Sequence, residues 1–155
     1  MTLATLLREE LTAVEALRRL LQREYDALKS RDLAGLEQAV AEKQQCADHL
    51  RERIAGRLDY LRQRGNSADA PGLAAHVEAL PAPERRETGE LWAALEQAAE
   101  QARAQNEVNG AVIAASRNHV ERTLAILRGR DSLDFLYDQD TRKVFGGGNR
   151  PIARA

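Results

Sequence analysis

Leucine sets the geometry of this chain. Leu3, Leu7, Leu11, Val14, Leu21, Tyr25 and Leu28 recur at steps of three, four and seven, a spacing that keeps one apolar stripe on one side of a helix. The positions between them are filled by "REE", "RR" and "QRE", which reads as a solvated face. The pattern predicts a first helix of about 26 residues, roughly 40 Å long. At "SRD" the pattern breaks, and either Ser30 or Asp32 can accept from the free N–H groups that open the next helix. Leu33, Leu36, Val40, Ala47, Leu50, Ile54, Leu58 and Leu61 then repeat the spacing up to "RQRGN", where Gly65 or Asn66 can take the left-handed geometry that ends a helix. Two long amphipathic helices across so short a break either fold back or run on as a bent rod. The hairpin buries more apolar area and is the expected form.

Residues 66–83, "NSADAPGLAAHVEALPAP", hold three of the four prolines and read as a linker with one short helical turn near Leu73–Leu80. Pro83 suits the first turn of a third helix, where a proline forfeits no intrahelical bond. That helix is expected from about Glu84 to Arg128, stopped by Gly129, with Leu91, Leu95, Ala99, Ala102, Ile113, Val120, Leu124 and Leu127 on its inner stripe. The expected fold is therefore all-α: an elongated antiparallel bundle of three long helices, coiled-coil-like, with a short helical linker. Residues 1–130 form the bundle, and 131–155 form a flexible partner-binding tail. The apolar residues are overwhelmingly Ala and Leu, which agrees with helix over sheet because unbranched side chains lose little rotamer freedom there.

In "EQARAQNEVNGAVIAASRNHV" the seam carries Asn106, Asn109 and Ser116, with Gly110 beside them. One account is a polar layer that fixes register where a neighbouring helix comes close. Another is a weak point that lets the distal half of the helix move, since glycine in a helix interior costs about 1 kcal/mol against alanine.

Chemistry is hard to find in this sequence. A carboxylate-bridged metal pair needs Glu-x-x-His on two helices, and the residues three before His49, His76 and His119 are Cys46, Leu73 and Ser116. Cys46 and His49 stand one turn apart but lack a second ligand pair. His119 sits in "RNHVERTLA", without the lysine and glycine that accompany the histidine of helical phosphotransfer domains. "FGGGNR" lacks the Gly-Lys-Ser/Thr ending of a phosphate loop. Catalysis, metals and cofactors are therefore not expected. A net charge of −1 with both signs mixed at short range argues against nucleic acid. One cysteine allows no internal disulfide, acids interrupt the N-terminal apolar run, and no stretch reaches the roughly 18 apolar residues of a membrane span. A cytoplasmic protein is expected.

Three of the six aromatics, Phe135, Tyr137 and Phe145, fall in the glycine-broken C-terminal stretch. Together with Leu133, Leu136, Val144 and Ile152 they are too widely spaced, with too much polarity between, for another core helix. Leu133–Tyr137 either folds back to cap the bundle or meets a partner. Pro151 and the charged run before "VFGGG" favour a segment that orders on binding, with its aromatics as anchors.

Three stretches together resemble the FlgN family of flagellar export chaperones: "QNEVNGAVIAASRNHVERTLAILRG", "DFLYD" and "GGGNRPIARA". "LKSRDLAGLEQAVAEKQQ" is similar in style, and Asn106, Asn109, Gly110 and Tyr137 carry most of the resemblance. It implies a cytoplasmic chaperone of the flagellar type III export system that holds the hook-filament junction proteins FlgK and FlgL unassembled and delivers them to the export gate protein FlhA. It also implies cargo binding in the C-terminal third, here Leu124, Leu127, Leu133, Phe135, Leu136, Val144 and Phe145, with Tyr137 contacting the export gate. A glycine usually follows that tyrosine closely, and here it is delayed to Gly146. The alternative is a structural coiled-coil adaptor without an export role, and a homodimer is compatible with either.

Overall fold

A computed structural model of the chain describes residues 1–128. Every regular element among them is a helix: α1 (Leu3–Ser30), α2 (Leu33–Gln63), α3 (Ala70–Glu78) and α4 (Ala82–Leu127). The chain divides into two units at the junction of Gly110 and Ala111.

Local signals account for the helix ends. The Thr2 side chain accepts from the Thr5 N–H at 3.2 Å and opens α1. Asp32 does the same for α2, accepting from Gly35 N–H at 3.0 Å, and Asp69 for α3, accepting from Gly72 N–H at 2.8 Å. Ser30, the other candidate for the second cap, instead donates its hydroxyl back to the Asp26 carbonyl at 2.9 Å. α2 ends as expected, with Gly65 at φ 74° and the Asn66 N–H closing onto Leu61 O at 3.0 Å. α1 ends in the same loop geometry without a glycine: Arg31 takes φ 56°, and the Asp32 N–H returns to Ala27 O at 3.0 Å. Pro83 falls in the first turn of α4, where the Arg85 N–H already reaches Pro81 O at 2.8 Å.

The first unit contains the core. Glu24–Lys43 and Arg23–Glu42 pair near the α1–α2 turn, and Glu10–Arg57 and Glu9–Arg53 pair farther from it, so the two helices run antiparallel as a hairpin. α4 runs in the direction of α1: Glu87 pairs with Arg8, and Asn109 meets Leu21 and Glu24. Leu3, Leu7, Val14 and Leu21 of α1 form one buried cluster with Leu61, with Leu73 and Val77 of α3, and with Leu95, Ala98 and Ala102 of α4. α3 is held there partly by the His76 ring, which meets Tyr60 edge-on at 5.5 Å.

Some stripe positions differ from the expectation. In α2, Leu33 and Val40 are exposed and Ala39 is buried, because the hairpin contact near the turn rests on the small side chain. In α4 the buried line runs Leu95, Ala98, Ala102 and Asn109; Ala99, expected inside, is exposed. Ile113, Val120, Leu124 and Leu127, also placed on the inner stripe, are exposed as well. Glu10 and Glu24, read as surface from "REE" and "QRE", are 3 % and 1 % exposed. Each is buried because a cation from α2 reaches it. Arg57 bonds both carboxylate oxygens of Glu10, at 2.7 and 3.1 Å, and lies over the Trp92 ring of α4. Such a pair is weak evidence of net stabilisation, although removing one partner would leave a buried charge uncompensated.

Candidate functional site

Within the first unit, polar chemistry concentrates at Asn109. Its side-chain N–H groups donate to Leu21 O at 2.9 Å and to Glu24 Oε1 at 2.8 Å, and its Oδ1 accepts from Gln105 at 2.9 Å. Lys43 donates to the other oxygen of Glu24 at 2.8 Å. Each member has a partner, which gives the node the character of a latch. Asn106 stands exposed on the rim of an apolar groove of about 300 Å³ whose lining includes Leu17, Leu21, Ala47, Leu50 and Ala102. Gly110 is also exposed, and a Cβ built on it would meet nothing within 4 Å. The glycine is thus not required by the close approach of a neighbour.

Cys46 is half-buried with its thiol toward the Ala13 carbonyl, and burial pushes that thiol above its usual range. His49 accepts from Arg53 at 3.3 Å and His119 is exposed. Hydrogen bonds from Arg103 hold the Glu100 carboxyl below its usual range on an exposed surface. Among the described residues no group of three histidine, cysteine or acidic side chains is placed to hold a metal ion. No described helix is long and apolar enough to cross a membrane.

In the second unit, helix α4 continues from Ala111 to Leu127. Ile113, Val120, Leu124 and Leu127 lie within a band about 60° wide at 100° per residue. They are 36, 53, 41 and 76 % exposed. A coherent apolar stripe open to solvent is the mark of an interaction surface. Of the sequence-based cargo candidates, Leu124 and Leu127 belong to this stripe. Leu133, Phe135, Leu136, Val144 and Phe145, with Tyr137, lie outside the described residues. Ile126, 60 % exposed on another side of the helix, was not anticipated, and neither was the Glu24–Lys43 part of the latch. A clue to the latter was available in the position of Glu24, one turn after the core residue Leu21.

Comparison with known proteins adds to this geometry. The family model described as FlgN protein matches residues 1–143. A crystallised protein of Pseudomonas aeruginosa, assigned as the flagella synthesis protein FlgN, superposes with a TM-score of 0.63 at 27 % identity. The match covers 70 % of this chain and 84 % of that one. No curated protein matches the sequence.

Proposed function

The chain belongs to the FlgN family, whose model spans residues 1–143, and from that membership we propose an export chaperone that binds FlgK and FlgL, keeps them unassembled and delivers them to FlhA. FlgN is a family of flagellar chaperone type, and a role connected with flagellar export follows for this chain. The observation that carries the finer proposal is the exposed stripe of Ile113, Val120, Leu124 and Leu127. Junction proteins that assemble through apolar helical faces are kept apart by a chaperone that covers those faces, and a helix laid along the stripe would do so.

Magnitudes indicate how much more surface is needed. Covering what these four side chains expose is equivalent to burying about two whole apolar side chains, about 3–6 kcal/mol. Association costs at least about 4 kcal/mol, and micromolar affinity takes about 8. The stripe alone therefore falls short, and the proposal assigns the rest of the cargo surface to Leu133, Phe135, Leu136, Val144 and Phe145, with Tyr137 at the export gate. Moderate affinity suits a chaperone whose cargo must leave it.

The test is isothermal titration of the C-terminal segments of FlgK and FlgL into the full chain and into its Leu124→Ser/Leu127→Ser variant. Expected is a Kd of about 1 μM for the full chain and at least about tenfold weaker binding for the variant. No binding by the full chain would overturn the proposal. The 7-4-3 spacing of the same stripe also suits self-pairing. An oligomer that persists on dilution and leaves no cargo binding would favour the adaptor alternative.

A further inference from the structure

The stripe on the second unit is not electrically neutral at its edge. At 100° per residue, Arg117 and Arg128 fall about 40° and 60° round from Ile113, on the same flank of the band formed by Val120, Leu124 and Leu127. The opposite flank carries Ser116 and Thr123, which are uncharged. Both arginines are exposed, and neither guanidinium has a hydrogen-bond or ion-pair partner among the described residues. This sets them apart from most arginines among the described residues: Arg8, Arg18, Arg23, Arg51, Arg53 and Arg57, for example, each pair with a carboxylate. Glu121 is the nearest acid on that side, about 80° round and so farther from the stripe than either arginine. An apolar band with two uncommitted cations along one edge is complementary to a specific kind of surface.

We propose that the stripe receives one amphipathic helix of the cargo whose flank carries carboxylates facing Arg117 and Arg128. The inference rests on the chaperone function proposed above and adds what selects the cargo. The two arginines are 11 positions apart, so the matching acids are about three turns, or about 16 Å, apart along the partner. A guanidinium presents a planar fork to a carboxylate, and charge matched along the rim of an apolar contact fixes the register of the incoming helix. It also rejects helices that are equally apolar but basic on that flank.

The experiment uses the full chain and the C-terminal segments of FlgK and FlgL, titrated at about 0.05 M and about 0.5 M salt, where exposed charges are felt and screened respectively. Arg117→Glu/Arg128→Glu is expected to weaken binding about tenfold at low salt, with most of the difference gone at high salt. Arg117→Lys/Arg128→Lys keeps the charge and is expected to stay within about threefold of the parent. Circular dichroism checks the fold, and Arg117→Gln/Arg128→Gln, expected to fall between the two, replaces the glutamate variant if that one melts. Binding by the parent chain that is indifferent to charge reversal at low salt overturns this inference and leaves the chaperone proposal standing. A parent chain that binds neither segment removes both.

Discussion

Asn109 and Asn106 show how far a residue's type determines its role. Both lie on the apolar face of α4 one turn apart, and sequence spacing cannot separate them. Only Asn109 is buried, at 1 % exposure, because it is the one level with the Leu21 carbonyl and the Glu24 carboxylate of α1. The distinction depends on the vertical offset of two helices that are far apart in sequence, which no local pattern encodes. The consequence can be measured. Asn109→Leu fills about the same space but leaves Glu24 Oε1 and Leu21 O without the amide donor. An unsatisfied buried acceptor costs about 1–3 kcal/mol, more where charged. Urea denaturation should show a stability loss of that order with an unchanged m-value, whereas Asn106→Leu should change stability by less than about 0.5 kcal/mol, as surface substitutions do. Equal effects at the two positions would contradict the latch.

At the scale of elements, the helices were largely legible and their junctions partly so. Asp32 and the "RGN" ending announced themselves because a short acceptor before an apolar run and a glycine after one are local chemistry. The end of α1 was not legible in the same way, since Arg31 adopts a left-handed φ of 56° that its residue type disfavours. It is held there by the hairpin on either side. Gly110 presents the reverse case, a glycine whose helical geometry any residue could adopt. With open space about its Cβ position, it brings no packing return, and a glycine in a helix interior costs about 1 kcal/mol against alanine. Gly110→Ala should therefore raise helicity and stabilise the helix by about 1 kcal/mol. Combined with the cargo titration, the variant separates two accounts of the glycine. Unchanged binding means the helix is used as it stands, and weakened binding with raised helicity means that bending there is part of the function.

For the whole molecule, the decisive fact is where the core ends. Among the described residues the buried apolar cluster runs from Leu3 to Ala102, and beyond it Ala125 is the one apolar side chain that is buried. The ion pairs that register α1 on α2, and the Asn109 latch, also fall before Ala111. The sequence suggested a single seam running to Leu127, because Ile113, Val120, Leu124 and Leu127 keep the same period as the buried positions before them. Periodicity reports that a face is apolar, and it is silent on whether this chain or another one covers that face. The division of labour predicted from this is sharp. A chain ending at Gly110 retains every described member of the cluster and should unfold cooperatively in urea with a midpoint close to that of the full chain. It should also bind neither FlgK nor FlgL, having lost the stripe together with Arg117 and Arg128. A large drop in the unfolding midpoint would mean that residues 111–155 support the core, against this division. Retained binding would move the cargo surface into the first unit, where the groove walled by Leu17, Ala47, Leu50 and Ala102 would be the place to look.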